Sequence, residues 1–255
     1  MSVAFGEKSA RRRAADLAQE FHLPLEDGSD SLAPGDARLI VTLDALELQL
    51  SGFRSALSVD FASPRLVHRL RGAGRERLLR ACGVTRARQP TVVDATGGLG
   101  TDAFVIANAG AEVTVLERHP LVYALLRDAH RRAAGRADLA EAIARMHLVH
   151  CDAREWLAQA QGIDVIYLDP MFPPRRKSAL VKQPMRMLTQ LVVEGGADGA
   201  DGGEGAEMLF ASAIEVDPSR VVIKRPLHSR EVSWRRAPSF TVEGRSVRFD
   251  VYELH

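Results

Sequence analysis

From residue 91 to residue 226 the chain alternates short apolar runs with amphipathic stretches, and no other feature restricts its fold as much. The runs "TVVDAT" (91–96), "EVTVLER" (112–118), "MHLVHCD" (146–152), "DVIYLD" (164–169) and "RVVIKRP" (220–226) have the length and β-branched content of buried strands. Between them lie residues 101–109, "PLVYALLRDAHRRAAG" and "AREWLAQAQ", which read as helices; the second has proline in its first turn and glycine near its end. Strands separated by helices at this spacing predict a parallel sheet covered on both faces. "SFTVEG" and "RFDVYEL" close the chain as an expected antiparallel pair. The first ninety residues follow another pattern. They suggest a helix over 9–21, strand character in 37–50 and 56–63, and helical pieces around Gly72 and Gly74. The expectation is an α/β domain over 90–255 behind a small α+β N-terminal subdomain over 1–89.

Composition narrows the class. Hydrophobic residues make up 46% of the 255, enough for a large core. No run approaches the roughly 18 apolar residues of a membrane span. "MSVAFGEKSARRRAADLAQEF" lacks a secretion signal and reads as a polar start leading into a helix. Cys82 and Cys151 form no disulfide framework, and no Cys/His cluster has metal-ligand spacing, so no metal is expected. His147 and His150 sit three apart in a strand and would face opposite sides. These features point to a cytoplasmic monomer without a membrane partner.

Lys and Arg number 34 against 33 Asp and Glu, so the overall charge says nothing about nucleic acid. The local distribution says more. Residues 65–88 hold eight arginines and one acid, and residues 171–193 hold five basic residues and no acid. Residues 195–207 carry four acids among six glycines and read as a mobile loop.

In an open α/β sheet, ligands bind at the carboxyl ends of the strands. The first such end reads "DATGGLGTD", Asp94 to Asp102. Its glycines permit a sharp turn and close approach of a ligand to the backbone, and the helix beyond offers free N–H groups. Glu117 ends the second strand, where an acid can accept hydrogen bonds from ribose hydroxyls. Cys151, Asp152 and Ala153 end the third, where an adenine edge commonly sits. Gly98-x-Gly100-x-x-Ala103 matches a dinucleotide fingerprint, so an NAD-dependent oxidoreductase is one reading. A tight turn with no ligand is another. Asp94, Gly98 and Gly100 together form D-x-T-x-G-x-G, which resembles motif I of the class I S-adenosylmethionine-dependent methyltransferases. Thr96 stands where that motif has its first glycine. This resemblance implies a Rossmann-like fold with a mostly parallel seven-stranded sheet and an antiparallel C-terminal strand.

The fourth strand ends in "LDPMFPPRRKSALVK". Asp169-Pro170-Met171-Phe172 resembles the (Asp/Asn/Ser)-Pro-Pro-aromatic motif of methyltransferases that modify exocyclic amino groups of bases. Such an amine is a poor nucleophile because its lone pair is delocalised into the ring. Acceptors at the Asp-Pro turn can draw on its N–H groups, and Phe172 can stack on the ring and hold the nitrogen in line. Arg175, Arg176, Lys177 and Lys182 would meet phosphates. Lys224, at the end of the fifth strand, is a weaker candidate for the same crevice, with a structural surface role as the alternative. The residues alone support an amino-group methyltransferase on a nucleic acid, with a non-catalytic RNA-binding module as a further alternative.

Together with "VVDATGGLGTDAFVIANAGAEVTVLERHPLVYALL", "RVVIKRP" and "RFDVYEL", that stretch is similar to the bacterial small-subunit ribosomal RNA methyltransferase J family over most of the chain. Met171 is normal for that family. The resemblance implies S-adenosylmethionine as cofactor, 16S ribosomal RNA or the small subunit as partner, and methyl transfer to N2 of one guanosine, with the N-terminal subdomain over 1–89 expected to help hold the RNA. Adenine N6 and cytosine N4 remain as other amino targets. By position, the resemblance assigns cofactor contacts to Thr101, Asp102, Glu117, Arg118, Asp152, Ala153 and Asp169.

Overall fold

The structure, a computed structural model, describes residues 1–28, 31–72, 76–171, 183–194, 204–229 and 236–255. In chain order the strands are β1 (Ser2–Phe5), β2 (Leu25–Glu26), β3 (Ala37–Val41), β4 (Leu46–Leu50), β5 (Thr91–Asp94), β6 (Glu112–Glu117), β7 (Met146–His150), β8 (Val165–Leu168), β9 (Arg220–Pro226), β10 (Phe240–Glu243) and β11 (Val247–Glu253). The α-helices are α1 (Arg11–Glu20), α2 (Pro64–Arg71), α3 (Arg77–Cys82), α4 (Thr101–Asn108), α5 (Pro120–Ala134), α6 (Ala140–Ala144), α7 (Ala153–Leu157), α8 (Gln183–Glu194) and α9 (Glu204–Glu215). Among the described residues no helix is long and apolar enough to cross a membrane.

Two sheets result. The larger has seven strands in the order β10-β11-β9-β8-β5-β6-β7. Strands β5 to β9 are mutually parallel, and β11 runs antiparallel to both β9 and β10. The expected mostly parallel sheet with its antiparallel closing pair is therefore present. The continuous apolar runs of β5, β8 and β9 follow from burial on both faces, whereas β7 is an edge strand and half exposed. Val165 and Tyr167 pack into one core with α4, α5 and α6. Ile166 and Leu168, one pleat apart from them, pack into the other with Leu157 of α7 and Phe210 of α9. His147 and His150 make separate contacts: the first meets Glu112, the second stacks on Tyr123.

The smaller sheet has the order β2-β1-β3-β4. Here three expectations need correction. Ser2–Phe5 is not a polar lead into a helix; it is an inner strand, parallel to both β2 and β3, with Val3 and Ala4 fully buried. A run of only four residues shows its role only through partners more than twenty residues away. Residues 56–63 do not form a strand. Only Leu57 bridges back to Leu48, after which the chain leaves the sheet and Phe61 stacks on Phe104 of α4 with ring centroids 4.8 Å apart. Residues 204–207, expected within a loop, begin α9, while the rest of the Gly/acid stretch lies outside the described residues.

The small sheet shares one apolar core with α4, α5 and α6. Asp128 of α5 ties the two sheets together. Its side chain is 7% exposed and accepts from the Leu46 N–H at 3.0 Å, from Arg132 at 2.7 Å and from Arg13 at 3.3 Å. Burial works against its charge, but these donors outweigh burial and hold the carboxyl below its ordinary value of 3.8. Replacing Asp128 by Ala would leave buried donors unpaired, with an expected loss of about 3 kcal/mol. With a depressed folded pKa, the contribution is full above about pH 4 and is lost as pH falls through the folded value. Urea titrations of wild type and D128A at pH 7 and at low pH should show the gap closing with acid.

Candidate active site

Strands β5 to β9 deliver their carboxyl ends to one edge, where a crevice of about 390 Å³ opens. Its walls are the turn after β5, the ends of β6 and β7, the turn after β8 and the start of α9. The size suits a cofactor-sized ligand, since such sites run from about 300 to 1,000 Å³.

The glycine turn has steric reasons for its composition. A Cβ on Gly97 would stand 2.8 Å from Val115 Cγ1 and 2.9 Å from the Leu116 carbonyl oxygen, so only glycine lets the turn lie this close to β6. Gly100 has φ +69° and caps α4 in the left-handed region. The Gly98 N–H donates to Glu117 Oε2 at 2.8 Å, and the His119 N–H donates to Glu117 Oε1 at 2.7 Å. Burial pushes the Glu117 carboxyl up, and these two backbone donors oppose the shift. Each oxygen still has a lone pair to offer a hydroxyl in the crevice. Beside it His119 is buried; desolvation and the charges of Arg118 and His150 push its ring down to about 4, so it stays neutral at physiological pH. Asp152 caps α7, accepting from the Arg154 N–H at 2.8 Å.

Beneath the Asp-Pro turn lies a buried ionic cluster. The register of β8 against β9 pairs Leu168 with Ile223, so the next step brings Lys224 beside Asp169. Lys224 Nζ donates to Asp169 Oδ2 at 2.6 Å and to Asp102 Oδ2 at 2.8 Å. The Tyr167 hydroxyl donates to Asp102 Oδ2 at 2.6 Å, and Arg69 of α2 donates to Asp102 Oδ1 at 2.6 Å while also binding Glu76. Thr96 joins the adjoining strand ends. Its Oγ1 accepts from the Asp169 N–H at 2.7 Å, and its own N–H donates to Asp94 Oδ1 at 3.0 Å. A glycine at 96 would lose this bridge, which accounts for the departure from motif I.

The carboxylates respond differently. For Asp102, burial is outweighed by the Lys224 and Arg69 charges, which hold it far below the ordinary range. Asp94 is 2% exposed with no cation beside it among the described residues, and desolvation pushes it up to about 7. Asp169 keeps a third of its side chain open toward the crevice. Enclosure by the protein pushes it up, partly offset by Lys224.

Of the residues singled out from the sequence, Gly98, Glu117, Arg118, Asp152, Ala153, Asp169 and Pro170 all line the crevice. Asp94, Gly100, Thr101 and Asp102 do not. Asp94 and Asp102 stand behind its floor as supports, because their oxygens are engaged by protein donors. Phe172, Arg175, Arg176, Lys177 and Lys182 lie outside the described residues. Lys224, thought equally suited to the surface, is 23% exposed and bridges two carboxylates. Sequence reasoning missed Thr96, Tyr167 and Arg69 as supports. Tyr167 carried one signal: in a strand it shares a face with Asp169, two residues on.

A family model described as "Putative SAM-dependent methyltransferase" matches residues 16–254. Ribosomal RNA small subunit methyltransferase J of Thioalkalivibrio sulfidiphilus is 44% identical over 264 residues, covering 99% of this chain and 97% of its own. The protein of that name from Coxiella burnetii is 40% identical, with 100% and 97% covered. The crystal structure of a SAM-dependent methyltransferase from Neisseria gonorrhoeae matches with a TM-score of 0.75 at 30% identity, covering 100% of this chain and 96% of that one.

The cluster makes a stability prediction. Lys224→Met keeps the stem and removes the charge, leaving Asp102 and Asp169 without their shared cation; the expected loss is about 3 kcal/mol at pH 8. The paired carboxylates raise the Lys224 ammonium above its ordinary 10.5 despite burial. Its contribution is therefore full below pH 10.5 and fades only as pH rises through the folded value. Chemical denaturation at pH 8 and near pH 11 should show most of the gap retained and only beginning to narrow at the higher pH, because the folded value lies well above it.

Proposed function

Because the chain belongs to the ribosomal RNA small subunit methyltransferase J family of SAM-dependent methyltransferases, we propose that it methylates the exocyclic N2 of a guanosine in 16S ribosomal RNA. The family sets aside the nicotinamide reading of the glycine turn. The observation that carries the proposal is the seat of Asp169, at the carboxyl end of β8 on the crevice wall, with Lys224 on one oxygen and a third of the side chain open.

The crevice residues fit S-adenosylmethionine. Glu117 would accept the ribose hydroxyls, Asp152 and Ala153 would border the adenine, and the turn around Gly98 would bring backbone against the amino-acid end. When bound, the cofactor supplies an electrophilic methyl group on a sulfonium, a good leaving group. What remains for the protein is to position the amine and accept its hydrogen. The ionised Asp169 accepts an N–H of the guanine amine, which shifts electron density onto nitrogen and gives the departing proton a destination. Lys224 keeps that carboxylate oriented. Pro170 shapes the turn, and Phe172 stacks on the base once it is splayed out of the RNA. Arg175, Arg176, Lys177 and Lys182 bind phosphate. A reaction on ribosomal RNA belongs in the cytoplasm.

The test uses small ribosomal subunits from cells lacking this gene, incubated with the protein and methyl-labelled S-adenosylmethionine. Nucleoside digestion should give label in N2-methylguanosine; label in methyladenosine or methylcytidine would overturn the choice of base. Asp169→Ala should lower kcat by roughly 100-fold or more, the scale for losing one positioned hydrogen-bond partner at a reacting group. Since burial raises the Asp169 pKa and only the ionised form can take the amine's proton, the wild-type rate should fall on the acid side with a midpoint above the ordinary aspartate value of 3.8. A pH–rate profile checks this.

A further inference from the structure

The arginine-rich run at 65–88 has no part in the mechanism above, and the fold divides it among α2, α3, which carries Arg77 and Arg80, and the turn before β5. Its first half forms α2, which packs Leu66 into the core and turns Arg65, His68 and Arg71 outward. Arg69 of the same helix points inward to Asp102, which shares Lys224 with Asp169. Three consecutive contacts of 2.6 to 2.8 Å therefore tie α2 to the reacting turn. The last arginines of the run, Arg86 and Arg88, are also exposed but lie in the turn that leads into the start of β5. Since β5 runs toward the crevice, that turn is at the opposite edge of the sheet.

The exposed side of α2 is short of counter-charge. The two carboxylates the helix meets, Glu76 and Asp102, are both bound by Arg69. Over residues 54–72 the remaining acid is Asp60, whose Oδ1 accepts the Ala62 N–H. Among the described residues Arg65, Arg71 and Arg54 have no ion-pair partner. Cations in the last turn of a helix complement its dipole, but the effect reaches only the final carbonyls and does not explain Arg65 or Arg54.

A second element continues the surface. Arg186 of α8 lies over the ring of Phe53 at 5.5 Å, and Gln183 donates to Ser55 Oγ at 2.7 Å, which joins the start of α8 to the loop carrying Arg54. One turn further along α8, Thr189 meets Met171, a crevice residue, at 3.8 Å. Exposed arginines thus stand on two elements that reach the crevice wall, α2 through Arg69, Asp102 and Lys224 to Asp169, and α8 through Thr189 to Met171.

We infer that Arg54, Arg65, Arg71 and Arg186 form a docking face for the phosphate backbone of the substrate RNA, which holds the strand beside the nucleotide that enters the crevice. This rests on RNA being the substrate. The partner fits because a folded RNA offers closely spaced phosphates, and each arginine that neutralises one releases a counterion. Arg86 and Arg88 lie outside the face and serve as an internal control of equal charge.

The experiment measures binding of 16S ribosomal RNA to the full-length protein across a series of KCl concentrations, with methyl-transfer kinetics in parallel. Arg65→Gln with Arg71→Gln is compared with Arg86→Gln with Arg88→Gln, and Arg186→Gln tests the second element independently. S-adenosylmethionine binding and thermal melts confirm that each variant is folded. If two phosphate contacts are lost, the slope of log K against log salt should shallow by about 1.5 to 2, and affinity near 0.1 M salt should fall about tenfold or more. KM for RNA should rise with kcat unchanged at saturation. The Arg86/Arg88 variant should match wild type. Unchanged slope in both α2 and α8 variants, or an equal loss in the control, would overturn the docking face while leaving the RNA substrate standing. A wild-type protein that binds cofactor but neither binds nor methylates RNA would overturn both.

Discussion

The site depends on one ammonium group. Lys224 sits between Asp169, which faces the crevice, and Asp102, which does not. Either carboxylate alone in this setting would be costly to ionise, and the lysine alone would be costly to protonate. Together, with Arg69 and the Tyr167 hydroxyl completing the shell of Asp102, they satisfy one another. The cluster draws groups from β8, β9, α2 and α4 to one point, so it sets how these elements sit at the carboxyl edge of the sheet. It also explains why three neighbouring aspartates behave differently. Asp102 has two cations and stays ionised, Asp94 has none among the described residues and is pushed up to about 7, and Asp169 lies between the two cases.

In the proposed reaction, rigidity at Asp169 is what this arrangement would supply. Its backbone N–H is held by Thr96 and its carboxylate by Lys224, so the Asp-Pro turn is fixed at both ends of the residue. Methyl transfer from a sulfonium asks little of a general acid or metal and much of alignment. A carboxylate held by a buried cation is suited to that demand, because it needs no reorientation when the substrate arrives. The N-terminal sheet contributes indirectly. It shares the core with α5 through Asp128, and it supports the segment that carries Phe61 against α4 and then continues into α2.

The crevice and the cationic surfaces of α2 and α8 are built differently. Crevice residues come from strand ends and have their polar atoms engaged by backbone donors, as Glu117 and Asp152 do. The arginines of α2 and α8 stand on helix surfaces. The first arrangement recognises one ligand in one pose, and the second attracts a polyanion whose position along the face can vary.

Much of this was legible in the chain itself. Parallel strands announce themselves by unbroken apolar runs, because both faces are buried, and the glycine turn and Asp-Pro turn announce themselves by backbone demands that few residues meet. Those are local constraints, so the order of elements, the glycine turn and the Asp-Pro turn were readable without coordinates. The strand Ser2–Phe5 was not readable, since its pairing partners come from residues 25–26 and 38–41. Nor was the post of Asp102, whose partners Arg69, Tyr167 and Lys224 lie 33, 65 and 122 positions away in the chain. Sequence determines what each residue can donate, accept or bury. Which buried charge meets which was decided only when strand register and helix packing brought β8, β9, α2 and α4 together, because ion pairing acts across space and leaves no periodic trace along the chain.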